Sequence, residues 1–447
     1  MSAGVRTLVA ADMHGGNETR SSATDNRRVR SSVIACTVGD HIALGQFLAE
    51  IFGTRYPAEF QASLNDPFYN PSDRLLLRRM GRTIAHVHVT RRIMQFGALA
   101  LPVAGLQGLA TANHCRRQGL GTHLLLAAER QMAESGALIG LLRTQNPHFF
   151  RRTGWALCGY SSGCSASPHA VLVRLLEQGL SLHRIARIQV RPWRRWEEEA
   201  VARAYRQNLP GNYGLLHRSR SYWHWLLERG AYDQFYVALD GPDPWDFKES
   251  STRLVGYAAI KGEKIIELVT TPGRQKVAME LLARICGDAI EQDRRQISLL
   301  APESSPVLEY FRGASESMPY RTSDPTEFCM ARLLDPPGLL RMMCGVFVKR
   351  ATEAGLVRPL ELGLLVDGQK YQIDIAGSGR VKAKNMGRSF LRLNVADFTR
   401  LMLGQLDWDR ALVEGRVAPS TSLALAAGRV LFPPLPFWRP ILDDCNG

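Results

Sequence analysis

The chain has 447 residues, 45% of them hydrophobic and 22% charged, so it is long enough for two or three domains with large cores. Its net charge is +14, but the arginines occur as dispersed doublets, which argues against a nucleic-acid-binding surface. The eight cysteines form neither Cys-x-x-Cys pairs nor a Cys/His ladder, and no apolar run is long enough to span a bilayer. These counts predict a reduced, cytoplasmic protein with no metal site, no disulfide framework and no membrane span.

Residues 31–165 alternate strand-like and helix-like runs, which predicts an α/β domain. Residues 1–30 are rich in Ser, Arg, Asn, Asp and Gly, so we expect a disordered tail and not a signal peptide. The predicted elements, in chain order, are a helix capped by an aspartate (Asp40–Phe52), paired strands (Leu75–Arg79 and Thr83–Thr90), a hairpin (Met94–Gly108), a short strand (Gly108–Ala112), a helix followed by Gly136 (Gly119–Ser135), a buried strand (Leu138–Leu142) and an aromatic loop (Pro147–Trp155).

Residues 184–333 repeat the order of strand, turn, helix, strand, proline, aromatics and arginine, which predicts a duplicated unit. Its main elements are two strands (Leu254–Ile260 and Lys264–Thr270), a helix (Gln275–Gln292) and a further strand (Ile297–Ala301). Residues 335–447 differ from both and predict a third domain. That domain contains a hairpin around Asp367–Gly368, helices over Val395–Leu403 and Ser422–Leu431, and a proline- and aromatic-rich tail over Phe432–Trp438.

The run from Arg116 to Thr122 lies between a predicted strand and a long predicted helix. The first amides of a helix have no internal partners and lie at the positive end of its dipole, so they bind anions. Glycine lets the backbone approach a pyrophosphate closely, and Arg116 and Arg117 could add positive charge. The other interpretation is a tight turn in which Gly119 and Gly121 serve only packing.

This run resembles the signature of the Gcn5-related N-acetyltransferases, Gln/Arg-x-x-Gly-x-Gly/Ala, which Arg116, Gly119 and Gly121 match. The phrases "GRTIAHVHVTRRIM", "LPVAGLQGLAT", "CRRQGLGTHLL" and "RPWRRWEEEAVARAYRQNLPGNYGLLHRSRSYWHWLL" are similar to the enhanced-intracellular-survival (Eis) type of that family. The resemblance implies an α/β (α+β) fold with tandem acetyltransferase domains, the second degenerate, and a sterol-carrier-like C-terminal domain. The sheets would be mixed and mostly antiparallel.

By the same resemblance the protein is an enzyme that uses acetyl-CoA to acetylate a primary amine of a small-molecule or peptide acceptor. The acceptor would be aminoglycoside-like, polyamine-like or lysine-containing, and the enzyme would form a homo-oligomer. The second unit has no Gly-x-Gly at residues 273–278, so we expect no cofactor there. The expected cofactor residues are the backbone of Leu109, Ala110 and Thr111 for the pantetheine arm, and Arg116, Arg117, Gln118, Gly119, Leu120, Gly121 and Thr122 for the pyrophosphate.

The catalytic residues implied by the resemblance are only partly present. Phe150 stands where the family has a tyrosine acid, and phenylalanine has no proton to give. Transfer could proceed without an acid, His148 could replace it, or the protein could bind acetyl-CoA without efficient turnover. The family's base is the terminal carboxylate, which here could come from Gly447, Asp444 or Asp443, although acids at a chain end are often only solvated.

Two further groups of residues allow a structural and a functional interpretation. His86 and His88 point to one face of a strand, and without a third ligand we interpret them as structural. Tyr222, Trp223, Trp225 and Tyr232 could stack on a ligand, but their helical spacing is more typical of a core. A ligand-sensing module with an inert acetyltransferase fold is the alternative function.

Overall fold

The computed structural model describes residues 32–53, 56–158, 162–180, 188–241, 252–302, 304–314, 318–321, 328–356, 360–375, 380–382 and 387–443. The predicted N-terminal tail, Asp444 and Gly447 lie outside the described residues. Within them the chain is an α/β (α+β) fold with three mixed, mostly antiparallel sheets, as predicted. None of the described helices is both long and apolar enough to cross a bilayer.

The described residues of the first part of the chain form six strands and four α-helices. In chain order they are β1 (Val33–Ala35), α1 (His41–Phe52), α2 (Tyr56–Leu64), β2 (Arg74–Arg79), β3 (Arg82–Phe96), β4 (Leu99–Thr111), α3 (Leu120–Glu134), β5 (Ile139–Thr144), α4 (Pro147–Arg151) and β6 (Ala156–Leu157).

The middle part contains nine described strands and five described helices. They are β7 (Ser162–Ala166), α5 (Pro168–Glu177), β8 (Ile188–Pro192), α6 (Glu198–Arg206), β9 (Tyr213–Leu216), α7 (Arg220–Glu228), β10 (Gln234–Asp240), β11 (Arg253–Lys261), β12 (Lys264–Thr270), α8 (Gln275–Glu291), β13 (Ile297–Ala301), α9 (Leu308–Arg312), β14 (Met318–Arg321) and β15 (Phe328–Leu333).

The last part starts with the longest described helix, α10 (Pro336–Glu353), whose N-cap Asp335 accepts a hydrogen bond from Gly338 N. The remaining elements are β16 (Leu360–Val366), β17 (Gln369–Ile375), β18 (Arg380–Lys382), β19 (Phe390–Leu393), α11 (Val395–Met402), α12 (Trp408–Val413), β20 (Val417–Pro419) and α13 (Ser422–Leu431).

The sheets do not follow the chain order strictly. The first has the order β1-β2-β3-β4-β5-β15-β6 with β9 beside β3, and the second has the order β14-β7-β13-β12-β11-β10-β8. Strand β15, from the end of the middle part, therefore lies inside the first sheet, while β7 lies inside the second. The third sheet, β18-β17-β16-β19-β20, shares one hydrophobic core with β3 to β5 of the first. The two exchanged strands connect the first and middle parts, and the shared core connects the first and last parts.

Most predicted elements are confirmed, and two differ in an informative way. The hairpin predicted over Met94–Gly108 is confirmed by the turn between β3 and β4, but the short strand predicted at Gly108–Ala112 is the continuation of β4, because a bulge at Gly108 interrupts the alternation that marks a strand. The predicted loop after β5 begins with the short helix α4, which Asn146 caps by accepting a hydrogen bond from Phe149 N. Of the aromatic cluster, Tyr222, Trp223 and Trp225 are buried in the core, and the half-buried Tyr232 packs against it.

Candidate active site

The central feature of the first sheet is a gap between β4 and β5. The two strands pair in parallel from Val103–Ile139 to Leu106–Leu142, and the pairing then ends although both strands continue. A cavity of about 1240 Å³ opens in and around this gap. Strands that separate in this way leave backbone groups available to an extended ligand, which can add itself as a further strand.

The bulge in β4 lies directly after the last parallel pair. His86 pairs with Ala110 and His88 with Gln107, so that Val87 faces two residues, Gly108 and Leu109. The φ angle of Gly108 is +57°, a left-handed conformation that favours glycine. The bulge therefore sets how the following backbone faces the gap.

The direction of the β4 amides follows from one hydrogen bond. Ala112 donates its amide to Ile84 O in β3 (2.9 Å). Because successive residues of a strand direct their amides to opposite edges, Ala110 also faces β3 and the amide of Thr111 faces the gap. The bulge breaks this alternation at Leu109, whose amide points away from the Gly108 oxygen of the same peptide.

Helix α3 presents its N-terminus at the same gap. Gly119 has a φ of +79° and Arg117 a φ of +62°, so the backbone turns sharply before the helix. The first hydrogen bond of the helix runs from His123 N to Gly119 O (3.0 Å). The amides before His123, including that of Gly121, have no acceptor within the helix and can bind an anion. A Cβ on Gly121 would lie 3.6 Å from Phe149 and 3.6 Å from Thr111, inside the groove.

The structure brings nearly all the predicted cofactor residues together on the cavity wall. Gln118 is the exception, because its side chain is exposed and accepts a hydrogen bond from Arg79 (3.4 Å). Arg116 bends back and donates its Nε to Thr111 O (3.3 Å). The residues on the wall are Leu109, Ala110, Thr111, Arg116, Arg117, Gly119, Leu120, Gly121 and Thr122.

The predicted catalytic residues are separated by the fold. Phe150 lines the cavity and packs edge-on against Phe149, with ring centroids 5.0 Å apart. His148 lies on the exposed side of α4 and is not part of the cavity wall. Asp443 is buried and lines the cavity on the wall that the C-terminal tail forms.

The cavity wall around Asp443 contains residues from three parts of the chain. Helix α2 contributes Tyr56 and Glu59, and burial raises the pKa of the Glu59 carboxyl. Among the described residues of the wall, Glu59 and Asp443 are the carboxylates. Arg143 from β5 donates a hydrogen bond to the backbone oxygen of Arg439 (2.7 Å) in the tail, and both line the cavity.

Residues 34–158 match the family profile described as an acetyltransferase (GNAT) domain. The chain contains a GNAT acetyltransferase domain. Proteins of this family transfer acetyl groups from acetyl-CoA, and the gap between β4 and β5 with the start of α3 lies entirely within the matched residues. No curated protein sequence matches the chain significantly.

Three solved structures share the fold of this chain over most of its length. A GCN5-related N-acetyltransferase from Kribbella flavida is 17% identical, with a TM-score of 0.67 and coverage of 92% of this chain and 97% of that chain. A second, from Anabaena variabilis ATCC 29413, is 14% identical with a TM-score of 0.67 and coverage of 92% and 99%. Eis1 from Mycobacterium abscessus is 15% identical, with a TM-score of 0.61 and coverage of 91% and 99%. At these identities the similarity is one of fold.

A buried ion cluster beside the GNAT domain holds the C-terminal tail. Arg218 donates two hydrogen bonds to the Asp443 carboxylate (both 2.9 Å) and two to the Glu267 carboxylate (2.8 and 2.7 Å). All three side chains are at most 1% exposed. The guanidinium lies 4.0 Å from the ring centroid of Tyr205, and Tyr257 donates its hydroxyl to Glu267 (2.5 Å). One arginine therefore links β12 to the tail.

The tail is also docked through its backbone. Trp438 donates its amide to Tyr213 O in β9 (2.9 Å), and Arg229 donates to Leu442 O. Gly214 has a φ of +113°, and a Cβ there would collide with Trp438 O. Glycine at this position allows β9 and the tail to approach each other.

Sequence reasoning missed Arg218 and Glu267. Arg218 lies 49 residues from Glu267 and 225 residues from Asp443, so no spacing in the sequence connects them. Glu59 was also missed, since a single glutamate on a short helix has no distinctive pattern. The Gly-x-Gly motif, by contrast, did predict the turn before α3, where Gly119 has a φ of +79°.

Proposed function

We propose that the protein is an acetyl-CoA-dependent N-acetyltransferase acting on a primary amine. The observation that carries this proposal is one cavity that extends from the amides at the start of α3, through the gap beside β4, to Glu59 and Asp443. It offers an anion-binding end, an exposed strand edge and a carboxylate end in that order, as transfer from a CoA thioester to an amine requires.

The wall residues fit coenzyme A by an observation independent of the family match. A Cβ on Gly121 would fill the groove between Thr111 and Phe149, so glycine keeps open a channel that the protein itself does not use. The amides of Leu120 to Thr122 and the Arg116 and Arg117 side chains would hold the pyrophosphate, and β4 would pair with the pantetheine arm. When bound, acetyl-CoA supplies an acetyl thioester.

Asp443 is the best-placed described group to take the proton from the attacking amine. Arg218 binds both oxygens of its carboxylate and so fixes its orientation, while the remaining lone pairs can accept a hydrogen bond from an amine. Glu59 would bind positive charge on the acceptor, which supports an aminoglycoside-like, polyamine-like or lysine-containing amine. Asp444 and Gly447, outside the described residues, are the competing bases.

Phe150 favours a second candidate, a weak or inert module that binds acetyl-CoA or another ligand. A phenylalanine ring at the family's acid position cannot protonate a leaving thiolate. A thiolate leaves without protonation more readily than most groups, so we favour slow, acid-independent transfer. His148, exposed and off the cavity wall, is poorly placed to act instead.

A hydroxyl placed at residue 150 separates these two functions. A positioned general acid typically contributes about 100-fold or more, and we expect Phe150→Tyr to raise kcat roughly 10-fold because the loop is not built around a hydroxyl. Initial rates would be measured as free thiol released from acetyl-CoA over a panel of amine acceptors.

Phe68→Tyr is the control, since it adds the same hydroxyl to a partly exposed phenylalanine that does not line the cavity. It should leave kcat unchanged. Binding of acetyl-CoA with no thiol release from the wild type or from Phe150→Tyr on any acceptor would support the inert module and contradict the enzyme.

The wider proposal follows the sequence resemblance. We infer an Eis-type arrangement in which residues 31–165 and 184–333 are tandem acetyltransferase domains, the second without cofactor. Residues 335–447 would be a sterol-carrier-like domain, and the enzyme would be a cytoplasmic homo-oligomer without a metal cofactor.

A further inference from the structure

A buried arginine lies beneath the β4 bulge. Arg74, the first residue of β2, is only 1% exposed. It donates one hydrogen bond to Ser63 Oγ (2.5 Å) and one to His86 Nε2 (3.2 Å). Its guanidinium also lies 4.7 Å from the ring centroid of Phe60 and 5.4 Å from that of Tyr69. Aromatic faces and neutral acceptors thus hold this cation.

His86 connects Arg74 to the bulge. Its Nδ1 lies 2.8 Å from Gly108 O, and because a carbonyl can only accept, Nδ1 carries the proton. Its Nε2 in turn accepts from Arg74. Burial, assisted by the positive charge of Arg74, lowers the pKa of His86 to about 3, so the ring is neutral in the tautomer that this chain of hydrogen bonds requires.

The chain of hydrogen bonds ends on a peptide group that faces the cavity. Gly108 O belongs to the same trans peptide unit as the Leu109 N–H, which therefore points away from His86, and Leu109 lines the cavity. A donor on the oxygen of a peptide polarises the unit and strengthens its N–H as a donor. A Cβ on Gly108 would lie 3.4 Å from His86 and 2.8 Å from the Tyr56 hydroxyl, so glycine lets these groups approach.

We propose that Arg74 and His86 are positioning residues for acyl transfer. Through Gly108 O they fix the bulge and strengthen the Leu109 amide as a hydrogen-bond donor to the carbonyl oxygen of the bound thioester. This inference rests on the proposed function, because it needs an acetyl thioester in the gap. A donor aimed at the oxygen where negative charge develops stabilises the transition state more than the ground state.

The first test removes the hydrogen bond from His86 to Gly108 O by mutation. His86→Leu takes away the donor to Gly108 O, whereas His86→Asn retains an amide nitrogen close to the position of Nδ1. We expect His86→Leu to lower kcat roughly 10-fold with the KM for acetyl-CoA nearly unchanged, less than the 100-fold typical of a direct donor. His86→Asn should recover most of the rate.

The matched control is His88→Leu. His88 is on the same strand and face and is also buried, but it lies beside Tyr69, with ring centroids 5.7 Å apart. It should lower the unfolding temperature without changing kcat. Equal losses of kcat in His86→Leu and His88→Leu, or no rescue by His86→Asn, would overturn the proposal.

A second measurement does not depend on turnover. Difference infrared spectra of acetyl-CoA carrying ¹³C at the thioester carbonyl report how strongly that carbonyl is polarised when bound. We expect the band to move to lower frequency on binding to the wild type, and to return towards the free position in His86→Leu. If His86→Leu does not fold, Arg74→Met removes the first link and should give a smaller change in the same direction.

The outcomes distinguish this inference from the proposed function. Binding of labelled acetyl-CoA with the same carbonyl band in the wild type and in the variants would overturn the role of Arg74 and His86 alone. Failure of the wild type to bind acetyl-CoA would overturn the proposed function, and this inference with it.

Discussion

In both strand–helix–strand units of the chain, β4–α3–β5 and β12–α8–β13, a parallel strand pair separates after a few residues. The last parallel pair is Leu106–Leu142 in the first unit and Ile265–Leu299 in the second. A bulge follows each, at Gly108 and Leu109 in β4 and at Ile266 in β12. The two units therefore share the frame that opens a gap.

The units differ in what the gap contains. In the second unit Glu267, next to the bulge, is bound by Arg218, and the helix begins after Arg274, which pairs with Asp240. Counted from the start of each helix, Lys276 stands where the first unit has Gly121. None of the described residues of β12, α8 and β13 lines the cavity. The same arrangement of a parallel strand pair and a bulge thus leaves a groove open in the first unit and binds the C-terminal tail in the second.

The largest effect is expected when the ion pairs that Arg218 forms with Asp443 and Glu267 are broken. Arg218→Met leaves two buried carboxylates without their cation, and removing one partner of a buried ion pair costs about 3–5 kcal/mol. The free energy of unfolding should fall by that order, hydrogen exchange in residues 432–443 should increase, and acetyl transfer should be lost. Chemical denaturation, exchange mass spectrometry and thiol release measure the three effects.

The control is Arg191→Met, which breaks another buried arginine–glutamate pair of the middle part, with Glu197. It should destabilise the protein comparably but leave exchange in the tail unchanged. Similar exchange in both variants would show that Arg218 stabilises the fold without holding the tail.

The next effect concerns the helix starts. Gly121→Leu should weaken acetyl-CoA binding roughly 10- to 100-fold, because forcing extra methylenes into a filled site costs about 1–3 kcal/mol. Lys276→Leu, at the matching position of the second unit, should not change it. Calorimetric titration with acetyl-CoA measures both. Equal weakening would mean that the second unit takes part in binding.

The last comparison distinguishes the two bulges by pH. Burial lowers the pKa of His86 to about 3 and also lowers the pKa of His88, whereas the second bulge is backed by Glu267 and Arg218. In the unfolded chain these histidines bind protons at pH values at which the native histidines stay neutral, because their native pKa values are lowered. Stability should therefore be fully present above the ordinary histidine pKa of 6.5 and fall towards about 3.

Each histidine contributes up to about 1.4 kcal/mol per pH unit within that range. Denaturation curves recorded over the range should show a shallower decline for His88→Leu than for the wild type. An unchanged slope would mean that His88 does not resist protonation.

Local patterns in the sequence were sufficient for the elements that carry the proposed cofactor site. Helix α3 was predicted within one residue at each end, because its apolar stripe and the glycines that flank it act over a few residues. Strand β4 was divided in error because alternation alone cannot show whether Gly108 ends a strand or forms a bulge. Residue types and short-range periodicity thus determined the turn at Gly119, whereas the family resemblance identified position 150.

Only the tertiary structure decided what closes the other end of the cavity. The exchange of β7 and β15 between sheets and the contacts of Arg218 with Glu267 and Asp443 depend on packing between distant segments. The polar link from Arg74 to Gly108 O exists because burial forces polar groups to find partners wherever the fold places them. Hydrophobic spacing specifies a helix or a strand, but which buried charges meet is set by how those elements are assembled.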